Sequence, residues 1–102
     1  MIKVSIQYKG KGIESLLIKG HANTGDYGKD LVCAAVSAVS IGALNALDNE
    51  EQYEIEVEEG RVSILFNGAL TEHDETVIET MILQLKTIQA SYPEAIEIKE
   101  RK

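Results

Sequence analysis

The chain's single cysteine and one of its two histidines stand twelve residues apart in GHANTGDYGKDLVCAAVS, residues 20–37. A cysteine attacks carbonyls as its thiolate, and an adjacent imidazole can take and return the proton. His21 beside Cys33 would therefore supply the minimum needed for covalent acyl transfer. Each residue also has a plainer reading. Free cysteines are among the most buried residue types, so LVCAAV could simply be core. His21 could be a turn residue whose ring bonds to the backbone. On spacing alone both readings stay open.

Their meaning depends on what positions them. A strand that ends near Lys19, a loop, and a helix packed on the same sheet would bring His21 and Cys33 within reach of each other. Asp30 is a suitable N-cap for a helix beginning at Leu31. Cys33 would then take the third helical position, where unpaired N–H groups and the helix dipole favour the thiolate. Three of the eight glycines, Gly20, Gly25 and Gly28, fall in the intervening loop. They either permit turns with positive φ or form a mobile loop that admits an extended peptide. The loop is not a phosphate-binding fingerprint, because GDYGK has neither the dinucleotide spacing nor the Lys-Ser/Thr of a P-loop. One cysteine and one histidine also fall short of a zinc set, so no metal and no cofactor is expected. His73, in TEHDE, reads as a surface residue at the start of a later helix.

The positioning elements follow from periodicity. Ile2, Val4, Ile6 and Tyr8 alternate with polar residues, which predicts a half-buried strand. KGKG at 9–12 supplies a turn into a second strand over 13–19. Residues 31–47 are small or apolar almost all round, which predicts a buried helix. Tyr53, Ile55 and Val57 alternate with Glu54, Glu56 and Glu58, and Val62, Ile64 and Phe66 follow after Gly60. These are a third and a fourth strand. Val77, Met81, Leu85 and Ile88 mark a second helix over 74–91, which Pro93, the sole proline, stops. Residues 95–99 could close the chain with a short strand. The expected fold is α+β: a two-layer sandwich, mainly antiparallel, with two helices on one face of the sheet in the order ββαββα and a short final strand.

At 102 residues the chain is expected to be a single domain, 1–102. Its net charge of −7, from 17 acidic and 10 basic residues, argues against direct nucleic-acid binding, which calls for a basic patch. An acidic surface suits a basic protein partner, although it also serves plain solubility. The alternating start MIKVSIQYKG is unlike a secretion signal. The uncharged run 31–47 carries Ser37, Ser40, Gly42 and Asn45, which argues against a membrane span. A lone cysteine requires no oxidising compartment. A cytoplasmic protein is expected.

The segment Gly20-His21, Gly25-Asp26-Tyr27-Gly28-Lys29-Asp30 and Cys33-Ala34-Ala35-Val36-Ser37 resembles the signature of the ribosomal-processing cysteine proteases, the Prp family of small bacterial enzymes. Length and element order agree along essentially the whole chain. The resemblance implies a peptidase that removes a short N-terminal extension from the large-subunit ribosomal protein numbered twenty-seven. Cys33 would be its nucleophile and His21 its general base, with Asp30 and Ser37 in supporting or orienting roles. It also implies a homodimer. The competing readings are a non-catalytic factor that binds a ribosomal protein through its acidic face, and a redox-sensing thiol, which would need a pairing cysteine from another chain.

Overall fold

A computed structural model describes the backbone of residues 1–20 and 27–102, and the side chains of 1–20 and 31–102. His21 and Gly25 lie outside the described residues. The elements are β1 (Ile2–Lys9), β2 (Gly12–Lys19), α1 (Tyr27–Asn45), a 3-10 turn (Glu50–Gln52), β3 (Tyr53–Glu58), β4 (Arg61–Phe66), α2 (Glu72–Ser91) and β5 (Ile96–Arg101). The α+β sandwich expected from the sequence is the fold observed, with the final strand present.

The sheet order is β3-β4-β2-β1-β5. Pairings are antiparallel except β1 with β5, which is parallel. Parallel neighbours cannot be joined by a tight turn, and here the remainder of the chain lies between them. The inward side chains form one core. Ile6, Leu16, Ile64 and Ile96 come from the strands, and Ile78, Met81 and Leu85 from α2. α1 adds Val32, Val36 and Leu44, and Leu47 follows just after its end. Alternation thus places both helices on the face that carries Ile2, Val4 and Ile6, as the period of two requires.

α1 starts four residues earlier than the sequence reading, at Tyr27, and ends at Asn45. Asp30 is therefore its fourth residue and not its N-cap. The sequence reading placed Gly28 in the loop that precedes the helix. A glycine within a helix costs only about 1 kcal/mol relative to alanine, and an extra turn continuing a buried helix can offset that. α2 begins at Glu72, capped by the Thr71 hydroxyl, which accepts from the Asp74 N–H at 3.1 Å.

Candidate active site

The shift in α1 changes what surrounds Cys33. At the seventh helical position its N–H belongs to the i→i−4 ladder, and the unpaired donors are those of 27–30. Cys33 is thus not the terminal thiol that capping by Asp30 would have produced. It is half-buried and lines a cleft of about 530 Å³ between α1 and the tip of the β3–β4 hairpin. Ser37 lies one turn further along the same helix face and lines the same cleft, followed by Ser40 and Ile41. The Ser40 hydroxyl donates back to the Val36 carbonyl at 2.8 Å, which closes that part of the wall.

The opposite wall is a two-residue turn, Glu59-Gly60, with Val57, Glu58 and Arg61 beside it. Gly60 holds φ at 75°. Its carbonyl accepts a 2.9 Å hydrogen bond from the N–H of Gly20, which extends the Lys19–Arg61 register of β2 and β4. Gly20 also lines the cleft. Its φ is +100°, and a Cβ there would sit 2.6 Å from the Met1 carbonyl oxygen. Gly20 was expected in a mobile loop; its described contacts make it an anchor. It fixes the point at which the chain leaves the sheet towards His21.

Of the other residues singled out in the sequence, Gly28 is a helical residue, and His73 is half-exposed at the start of α2, away from the cleft. Its Nε2 is 2.9 Å from the Ala46 carbonyl oxygen, so that nitrogen carries the proton. Asp48, His73 and Asp74 lie close enough together to suggest a metal centre, with ligand atoms within 4.8 Å. Their hydrogen bonds point to a clamp instead. The buried Asp74 carboxylate accepts from the Asp48 N–H (2.8 Å), the Asn49 N–H (3.2 Å) and the Tyr53 hydroxyl (2.6 Å). Burial works against its charged form, but the Tyr53 hydroxyl and the two N–H groups, with His73 nearby, outweigh that and hold its carboxyl below the ordinary 3.8. The sequence hinted at this clamp only through Thr71 and Asp74 in T-x-x-D spacing. A second groove of about 520 Å³ runs between α1 and α2 past His73 and Thr80; among the described residues no cysteine or carboxylate lines it.

The family model for "Cysteine protease Prp" matches residues 1–97. The chain belongs to the Prp family of cysteine proteases. The ribosomal processing cysteine protease Prp of Staphylococcus aureus is 33% identical over 103 residues, covering 96% of this chain and 97% of that protein. The Prp of Bacillus subtilis is 35% identical over 107 residues, covering 96% of each. The crystal structure of S. aureus Prp with a covalently linked product peptide superposes with a TM-score of 0.87 at 31% identity, over 99% of this chain and all (100%) of that one. The same relative has also been solved with a substrate peptide (TM-score 0.86, 29% identity, 99% and 100% covered). As a Prp-family member the chain is a cysteine peptidase of the ribosomal-processing type. Among the described residues no helix is long and apolar enough to cross a membrane.

Proposed function

We propose that the chain acts as a single peptidase domain that removes the N-terminal extension of large-subunit ribosomal protein twenty-seven, with Cys33 as nucleophile and His21 as general base. The observation that carries this reading is the cleft, where the only thiol in the chain faces the hairpin to which Gly20, the residue before His21, is bonded. Cys33 Sγ adds to the scissile carbonyl, and His21 takes the thiol proton. The tetrahedral intermediate collapses to a thioester as the imidazolium gives that proton to the leaving amine. Water, deprotonated by His21, hydrolyses the thioester and regenerates the thiol. Because the Cys33 N–H is spent in the helix, oxyanion stabilisation falls to other donors in the cleft. Ser37 is a supporting residue one turn away, and Asp30 supports the site from within the first turn of α1. We further propose, on family resemblance, a cytoplasmic homodimer.

The test is cleavage. The protein and its Cys33→Ala variant are mixed with the extended ribosomal protein, and intact masses are read. A single N-terminal truncation with the wild type, absent with Cys33→Ala and reduced by a factor of at least about 10² with His21→Ala, is the expected result. Stable binding without cleavage by the wild type would replace this reading with a non-catalytic assembly factor.

A further inference from the structure

The sheet order β3-β4-β2-β1-β5 leaves one side of β3 without a neighbouring strand. The phase of the hydrogen bonds shows which of its backbone groups face that side. The Gly60 carbonyl accepts from the Gly20 N–H and so points towards β2. Successive residues of an antiparallel ladder turn their polar groups to opposite sides, so Arg61 turns its own towards β3, where it pairs with Glu58. Glu58, Glu56 and Glu54 therefore bond to β4, and Ile55 and Val57 direct their N–H and C=O groups out of the edge. The Tyr53 N–H, on the same side, is taken by the Glu50 carbonyl. Among the described residues no backbone group pairs with Ile55 or Val57 from that side. Exposed edges invite another chain, and proteins guard them with prolines, bulges or inward-pointing charges. The opposite edge, β5, has such a charge in Glu100, fastened to Tyr8 and Lys86 on the helix side of the sheet. β3 has none of these guards. It pairs with β4 in unbroken register, and its side chains on the helix side are Tyr53, Ile55 and Val57. Val57 is 51% exposed and lines the cleft that holds Cys33, so the open edge is continuous with that cleft.

We infer that β3 is the docking strand for the substrate. An extended peptide adds to its edge, bonds to the N–H and C=O groups of Ile55 and Val57, and passes from there into the cleft. The inference rests on the reading of Cys33 as nucleophile and names how the peptide is held at that site. Backbone pairing orients a flexible segment, and alternate side chains supply the discrimination. Apolar residues of the peptide lie beside Ile55 and Val57 on the helix side. Neutral or basic ones lie beside Glu54, Glu56 and Glu58 on the open face. A second copy of this chain is a poorer occupant. An antiparallel β3–β3 pair would set those glutamates against their own counterparts, and like charges across such a pair are destabilising.

The experiment uses a synthetic peptide copying the N-terminal region of the extended ribosomal protein, with a methyl group placed on one backbone nitrogen at a time. Cleavage by the wild type should show KM raised about tenfold at every second position of the segment that meets β3. Positions between should change little, because only alternate amides face the edge. Amide hydrogen exchange in Cys33→Ala, read by NMR with and without the unmethylated peptide, needs no turnover and so separates this from failure of the catalytic reading. The Ile55 and Val57 amides should slow by about tenfold or more when the peptide is saturating, while the amides of β5 keep their rates. That result supports the docking strand even if the wild type cleaves nothing. A methylation profile without alternation, binding that leaves Ile55 and Val57 unchanged, or no binding at all overturns the inference. Slowing of both amides with rising protein concentration in the absence of peptide would assign the edge to a second copy and overturn it as well.

Discussion

The residue that ties the sheet to the proposed chemistry is Gly20. Its φ of +100° lies where an L side chain is strained, and a Cβ would meet the Met1 carbonyl oxygen at 2.6 Å, backbone that cannot rotate away. Gly20→Ala should therefore cost at least about 2 kcal/mol, combining strain with displacement of β1's start. Because the same residue donates to Gly60, the damage should reach the cleft. Chemical denaturation reads the stability loss. Cleavage under conditions where the variant is still folded should show kcat falling, since His21 is the next residue along. A variant of wild-type stability and rate would mean that the end of β2 yields without consequence. Sequence alone ranks Gly20 with Gly25 and Gly28 as a loop glycine, because the atom that makes it indispensable belongs to Met1, nineteen positions away in the chain.

At the scale of elements, the strands were legible in the sequence because alternation reports directly on a sheet with one covered face. Ile2, Val4 and Ile6 are each at most 2% exposed. The end of α1 nearest the site was not legible, since Asp30 is an equally good N-cap and Gly28 an equally good breaker until tertiary packing decides. The parallel pairing of β5 was hidden for a similar reason: Ile96 and Ile98 show alternation but not the partner they choose. Also hidden was the joint between the α1–β3 connection and α2. There the lowered carboxyl of Asp74 contributes stability above its ordinary 3.8, which is lost as pH falls through the folded value. His73 acts in the opposite direction. The Ala46 carbonyl, opposed by some desolvation and helped by Asp48 and Asp74, raises its pKa above 6.5. Its contribution is present below that value and fades as pH rises through the folded one. The joint should hold best between roughly pH 4 and 6.5. Asp74→Ala strands two N–H groups and the Tyr53 hydroxyl and should cost about 3 kcal/mol, with a flatter acid limb in a stability-versus-pH series. His73→Gln should flatten the limb above pH 6.5 instead. If both variants kept the wild-type pH profile, the joint would not be electrostatic.

For the molecule as a whole, the two ends of the chain are built into the support of the cleft. The Ile2 N–H donates to the Ala95 carbonyl at 2.9 Å, and β5 pairs with β1 from Ile2–Ile96 to Gln7–Arg101. Beyond the core, Glu100 accepts from the Tyr8 hydroxyl at 2.7 Å and pairs with Lys86 of α2 at 2.6 Å, so that β5 is fastened to both layers. Met1, whose carbonyl walls Gly20, is thus held indirectly by a strand on the far edge of the sheet. Ile96 is fully buried, and Ile96→Ala should cost about 2–5 kcal/mol, a large share of the roughly 5–15 kcal/mol available to a domain of this size. If β5 supports the site through β1, the variant should also expose Cys33 to alkylating reagents at temperatures well below its own unfolding midpoint. The Glu100→Gln variant, which weakens the Lys86 and Tyr8 attachment without opening a cavity, should show a smaller shift in the same direction. Thermal denaturation paired with the alkylation rate distinguishes the cases. Alkylation that rises only with global unfolding would mean that the cleft stands on α1 and the β3–β4 hairpin alone. An earlier rise would show that the last strand of the chain holds the first residue against Gly20.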